Sequence, residues 1–566
     1  MSFSRTILSL IYSLSLSASL LLAGSSYAKE YIFMSAKGGD SSDVSAVAGE
    51  GDEVIVDFHI HKMVTEKAQV ENSITDAFKE LKFTQLKSSN NVGSPAIPYY
   101  SIIVEGTPAN LRVDYQMEKS KRIMNLIPVP AQPEKWRCVD CEQPSFAIDL
   151  DSYRDGEERF YTLDYLGDFR GIPLTRVTLY PAQYIAEDRA VEIYPEIDFK
   201  ISGAIEGKFY TDNVEQIYER AELNNRYLII APQEYIAALA EFVAWKSSRG
   251  FEVDVISLES AGGTFAAVKS YIRARYEAPE TNFSYALLVG HEGNFPTEYV
   301  YTSSSSQTPS DLHYFTMGDA TDFIPDVFYG RLVVGQLADI SNQVRKIMDY
   351  EGDLLSNGAG WSQHIGLASD EGSDPSDEEY LAQMTSTFVE SFGVSSRSFL
   401  QRNSDSTPTN LNKALSSGAM WLNYIGHGTG TSWPSMWSTY YSSSIKNLTT
   451  DAVKPIIIDV ACQNGRFRYN AKQLGERFMN ESKDGAPVGA VAYYGGSVNI
   501  SWNPPAVMAV GLNKMVVQEK IDALGKALLA GQIYLFNNYT DVASVKENFS
   551  WYHLFGDPSL SLHIGR

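Results

Sequence analysis

Two short stretches of the chain hold residues that can do nucleophilic chemistry together. Tyr424-Ile-Gly-His427-Gly428 and Asp459-Val-Ala-Cys462-Gln-Asn-Gly465 each place a reactive side chain just past an apolar run. Glycines beside them let the backbone turn sharply and approach a ligand closely. A thiol attacks only as thiolate, and a positioned imidazole can take its proton and later return one to a leaving amine. On this reading Cys462 is the nucleophile and His427 its general base, with the backbone N–H groups of Gly428 and Cys462 holding the oxyanion of a tetrahedral intermediate. Taken alone, one His and one Cys are a weak signal, because either suits a packed core. The cysteine count strengthens it. Of three cysteines, Cys138 and Cys141 are spaced to close a small local disulfide. A redox pair is the lesser alternative, and a zinc site would need a second pair of ligands nearby. Cys462 is then the odd thiol, a liability in an exported protein unless it does chemistry.

Export is read from the first residues. Arg5, the apolar run Ile7 to Leu22 and the small-residue exit Ala23-Gly-Ser-Ser-Tyr-Ala28 have the anatomy of a secretory signal peptide over residues 1–28, with cleavage after Ala28. An uncleaved anchor fits less well, since the run is rich in serine. No later run is long and apolar enough for stable membrane insertion. The formal charge of −23 excludes nucleic acid as a partner, because phosphate binding needs a basic surface. It would attract a cationic substrate, although acidity also keeps an exported protein dissolved.

The elements that must position Cys462 and His427 change character along the chain. Residues 29–210 show short alternating stretches such as Glu53 to His61 and Arg176 to Tyr180 between turn clusters, the cadence of an antiparallel β-sandwich. A polar connection covers 211–225. Residues 226–566 alternate buried strands with helices. Strands are expected at Tyr227–Ala231, Phe251–Ile256, Tyr285–Val289, His364–Ala368, Trp421–Ile425, Pro455–Val460 and Gly489–Tyr493, with helices at Gln233–Arg249, Phe265–Tyr276, Leu337–Glu351, Asp377–Phe392 and Gln473–Asn480. Such a pattern predicts an α/β fold with a doubly wound, mostly parallel sheet covered by helices on both faces. Functional groups in such sheets lie just past the carboxyl ends of the strands, where His427 and Cys462 fall.

Those motifs resemble the gingipain-like cysteine peptidases, whose catalytic domain has a caspase-like fold. Asn423 to Trp433 looks like the family's histidine motif and Asp459 to Gly465 like its nucleophile motif. Tyr285 to Gly290, Tyr329-Gly-Arg331, Glu476 to Asn480, Ser497 to Trp502 and Leu554 to Leu560 come in the family's order. The earlier half is similar to the family's propeptide through Gly93 to Pro98, Arg170-Gly171 and Tyr180 to Tyr184. The resemblance implies a zymogen. Its β-rich propeptide-like domain acts as an intramolecular inhibitor until cut away, with Arg220 as the processing site.

The resemblance also implies a third catalytic group, an acid after an earlier strand, which falls on Glu371 with Asp370 adjacent. It implies an acidic pocket for arginine or lysine before the cut. Counting back from Phe392-Gly393 puts Glu378 at the pocket position, with Asp377 and Glu379 as competitors and Trp502 as a wall. The loop 373–379 is shorter than in the arginine-specific members, which leaves the preference open. The chemistry requires no cofactor. The family's structural calcium has the acidic loops around Glu292 and Asp319 as places but no EF-hand spacing, so its ligands stay unassigned. Protein or peptide substrates are the implied partners. No sorting segment is visible before Arg566, so release into the periplasm or the medium is expected. A transpeptidase or maturation protease would use the same thioester, and an inactive secreted binding protein the same fold. Intact His427 and Cys462 motifs argue against the last.

Overall fold

The computed structural model describes residues 28–562 except 34–42, 69–77, 157–158, 212–213, 320–321, 354–362, 373–374, 450, 469–472 and 518–520. The leader expected over 1–28 lies, apart from Ala28, outside the described residues.

Strict alternation builds the N-terminal half. In Val54–His59 the residues Val54, Val56 and Phe58 are buried while those between them are not, as expected for strands with one face on a core. Two five-stranded antiparallel sheets result. One carries Pro98–Glu105, Ile172–Leu179 and Tyr161–Phe169 side by side; the other carries Ala190–Ser202 paired with both Val54–His59 and Arg112–Met124. Their inward faces share one apolar core that includes Phe58, Ile102, Val177 and Phe199.

The second half is a ten-stranded sheet: β1 (Arg226–Ala231), β2 (Glu252–Ser257), β3 (Tyr285–Val289), β4 (Phe328–Leu332), β5 (Gln363–Ala368), β6 (Ser395–Leu400), β7 (Trp421–Ile425), β8 (Ile456–Val460), β9 (Ala492–Gly496) and β10 (Tyr552–Phe555). The order is β2-β1-β3-β4-β10-β9-β8-β7-β5-β6, and every pairing is parallel except β9 with β10. Continuous apolar runs are needed because both faces are covered. Ile456, Ile458 and Val460 enter one core and Ile457 the opposite one. Among the helices packed against the sheet are α1 (Asp377–Phe392), α2 (Asn503–Val516) and α3 (Leu524–Asn538).

Three expectations shift. The strand expected at Gly489–Tyr493 begins at Ala492. Gly489 has φ +99° and packs on the Phe478 backbone, so the chain is still turning there. The helix expected over Gln233–Arg249 is a 3-10 turn over Gln233–Leu239 and an α-helix over Ala240–Ser248. The polar connection contains a helical turn, Glu215–Arg220, whose Ile217 and Tyr218 are buried in the core of the second half.

Candidate active site

Parallel pairing sets the site. β7 and β8 run in register, with Ile425 opposite Val460, so His427 and Cys462 each lie two residues beyond paired strand ends. The two loops touch. A Cβ on Gly428 would lie 2.2 Å from the Cys462 carbonyl oxygen, so only glycine fits there. Directly after the thiol, Gln463 takes φ +62°, a strained conformation for a side-chain-bearing residue. Its N–H bond to the Val498 carbonyl (2.8 Å) and its amide on Asn499 (2.5 Å) hold the bend. β5 lies on the other side of β7, and the Ser369 N–H caps Ile425 at 2.9 Å, so the loop carrying Glu371 rises beside His427.

A segment of the N-terminal half fills this cleft. The Arg137 N–H donates to the Ile500 carbonyl (3.0 Å), and its own carbonyl accepts from the Gly428 N–H (3.4 Å) and His427 Nδ1 (2.8 Å). The Cys462 N–H, expected beside Gly428, makes no hydrogen bond to that oxygen among the described residues. The Arg137 side chain is fully buried. Its two terminal nitrogens fork onto Asp377 at 2.8 Å each, Nε donates to the Trp502 carbonyl (2.9 Å), and the guanidinium lies 4.4 Å from the Trp502 ring centre. Ser369 Oγ supports the same carboxylate at 2.6 Å.

The acid under the cation is thus Asp377 and not Glu378, which corrects the sequence expectation. Successive residues of a helix point about 100° apart, and the Ser376–Glu379 capping box fixes the phase of α1. Asp377 therefore turns into the cleft, while Glu378 turns out to pair with Arg402 (2.5 Å) and Glu379 closes the cap. The Trp502 ring lies against the Arg137 guanidinium. Arg220 ends its helical turn with ion pairs to Glu105 and Glu206, both 2.8 Å, so a cut there requires that turn to open. Cys138 and Cys141 are joined as a disulfide immediately after Arg137, and Cys462 is the free cysteine. Asp370 makes no contact with His427 among the described residues; Glu371 does.

Sequence reasoning missed Arg137. Its signal was present, a basic residue against the first cysteine of a disulfide pair, but its partner Asp377 lies 240 positions away. The calcium expectation finds no support in the donors. Glu292 is engaged by Arg468 (3.4 Å) and Tyr299 (3.1 Å), and Asp322, near Asp319, directs its oxygens to the N–H groups of Gly318 and Ile324. Among the described residues no three His, Cys, Asp or Glu side chains converge as a metal set.

The electrostatics are those of a blocked site. Burial pushes the Cys462 thiol up to about 12, against the backbone hydrogen bonds from Ile500 and Arg137, so it is neutral here. Burial also opposes charge on His427, but hydrogen bonds to Glu371 (3.1 Å) and the Arg137 carbonyl prevail and raise its pKa. The same bond to His427 lowers Glu371. The raised imidazole stabilises this state fully below about pH 6.5 and ceases to as pH rises through its folded value; the lowered carboxylate does so above about pH 4.5 and fails as pH falls through its own. Glu371→Gln is therefore expected to lower the thermal midpoint of the full chain most between about pH 4.5 and 6.5, with the gap closing above that window. A gap independent of pH in a calorimetric series would contradict the pairing.

A buried arginine thus lies beside the thiol with its carbonyl meeting both an imidazole and a glycine N–H, and this fold and cleft are those of a cysteine peptidase. Residues 220–563 match the model of Peptidase family C25, and the chain belongs to that family. It is 25% identical over 522 residues to Gingipain R2 of Porphyromonas gingivalis, covering 84% of this chain and 68% of that protein. To Lys-gingipain HG66 of the same organism it is 24% identical over 543 residues, covering 83% of this chain and 30% of that one. It spans 51% of a Gingipain R1. The complex of the RgpB pro- and mature domains of P. gingivalis superposes with a TM-score of 0.52 at 27% identity, over 59% of this chain and 79% of that one. The Arg-specific cysteine proteinase gingipain R gives 0.53 at 25%, over 60% and 79%.

Proposed function

We propose that this chain is an exported zymogen of a cysteine endopeptidase that cuts after arginine. The observation that carries the reading is Arg137, seated in the cleft as a substrate's residue before the cut would be. Lysine, a point charge, would use only part of the forked acceptor that Asp377 offers, so arginine is preferred. Once the latch leaves and water or substrate re-solvates the cleft, the Cys462 thiol passes its proton to His427 and attacks the carbonyl carbon. The Gly428 N–H stabilises the oxyanion, and Glu371 keeps the imidazole oriented. Collapse of the intermediate breaks the C–N bond, His427 protonates the leaving amine, and a thioester remains. Water, deprotonated by His427, hydrolyses it. No cofactor is needed for these steps.

Latency follows from the same contacts. His427 is bonded to the Arg137 carbonyl and Glu371, the thiol is held neutral, and the disulfide ties the leaving side of the Arg137–Cys138 bond. Export rests on the leader read over 1–28, and no helix among the described residues is long and apolar enough to cross a membrane. The test is a peptidyl-arginine chloromethyl ketone, which alkylates an active thiol with loss of chloride. Intact-mass analysis of the processed chain should show one adduct on Cys462, with far slower labelling of the unprocessed chain. An adduct elsewhere, or none after processing, defeats the reading.

A further inference from the structure

The segment ending at Arg137 runs antiparallel to residues 500–503 of the second half through one isolated bridge. Arg137 faces Ile500, Trp136 bridges Ser501, and Glu134 meets Asn503, all in one register. A peptide that puts its arginine on Asp377 and its carbonyl at Gly428 would follow the same rail. Its fourth residue before the cut would then lie where Glu134 lies.

At that place the second half alone supplies donors for a carboxylate. Glu134 Oε2 accepts the Asn503 N–H at 3.0 Å, and Oε1 accepts Asn503 Nδ2 at 3.3 Å and the Tyr539 hydroxyl. Asn503 opens the 14-residue helix α2, whose N-cap Trp502 provides no side-chain acceptor, so an outside anion completes the cap. The amide is held the right way round by the Tyr380 hydroxyl, which donates to its Oδ1 at 3.3 Å. Tyr539 and Tyr380 are each 4% exposed, so both hydroxyls are held by packing. The residues between the two anchors are held differently. Trp136 has its backbone N–H and carbonyl paired by Gln143 of its own loop (2.8 and 3.1 Å), and Lys135 is exposed.

We propose that Asn503 and Tyr539 form a subsite for an acidic side chain at the fourth residue before the cut, which makes peptides of the form Glu-x-x-Arg the preferred substrates. This rests on the endopeptidase reading above. The full chain, after processing, is assayed on fluorogenic Glu-Lys-Trp-Arg and its Gln, Ala and Lys counterparts at the first position. Burial raises the Glu134 pKa against these hydrogen bonds, so the discrimination comes from acceptor geometry: an amide turns an N–H₂ group onto one of the donors, which predicts kcat/KM about tenfold higher for Glu than for Gln, carried mainly by KM, with Lys lowest. Tyr539→Phe should narrow the Glu-to-Gln ratio and leave the preference for arginine over lysine at the cut unchanged. If that variant does not fold, the ratio in the parent protein decides. Equal rates for Glu and Gln, with arginyl peptides otherwise cut, overturn the subsite and leave the peptidase standing. Failure to cut any arginyl peptide overturns both.

Discussion

Asp377→Asn is expected to lower kcat/KM for arginyl peptides by about 150- to 5,000-fold, the equivalent of the roughly 3–5 kcal/mol lost when one partner of a buried ion pair is removed. The size follows from where the pair lies. Both side chains are fully buried, the contact is a two-pronged fork, and the Ser369 hydroxyl donates to the same carboxylate. Asparagine keeps the shape but offers one oxygen and turns an N–H₂ group toward the guanidinium, so discrimination against neutral residues should fall with activity. Glu378→Gln is the matched control, since its carboxylate faces Arg402 near solvent, where an ion pair is worth about 1 kcal/mol or less. Steady-state kinetics on arginyl, lysyl and alanyl peptides, normalised by titration of the Cys462 thiol, separate the two. A loss that follows Glu378 and spares Asp377 would refute the assignment.

The two residues also show how far the sequence carries. Cys462 and His427 were legible only because three weak signs coincide, the placement past apolar runs, the glycines beside them and the odd thiol among three cysteines; their strands prove to be neighbours in register. The acid of the pocket was legible only as a run of three. Which of Asp377, Glu378 and Glu379 faces inward depends on the rotational phase of α1, and that is set by the Ser376 cap, a contact that counting back from Phe392 does not see. β10 went unread for a related reason. Tyr552–Phe555 is short, comes directly after a helix and gains its place by pairing antiparallel with β9 and parallel with β4, both far away in sequence. The β-sandwich was legible as a class, from alternation, but its use of Arg137 was not, because no local rule links a loop at 137 to a carboxylate at 377.

Arg137→Ala should unlatch the unprocessed chain. The substitution removes the fork to Asp377, the bond to the Trp502 carbonyl and the stack on its ring, and it leaves Asp377 buried without its cation. At about 3–5 kcal/mol the balance between seated and lifted latch moves about 150- to 5,000-fold toward lifted. The N-terminal half should nevertheless stay docked. Arg176, also buried, donates to the Phe536, Tyr539 and Thr540 carbonyls at the end of α3, and Asn537 reaches back to the Thr211 carbonyl (2.7 Å). Removing Arg137 therefore opens the pocket without dissolving the interface, so small arginyl peptides and the ketone probe should gain access before large proteins do. Arg137→Lys should lie between, keeping the charge and losing the fork. The readout is the rate of probe labelling at Cys462 in chains shown by intact mass to be uncut. If Arg137→Ala labels no faster than the parent while a chain cut within 211–225 labels fully, latency comes from the bulk of the N-terminal half covering the cleft, and Arg137 is a passenger in it.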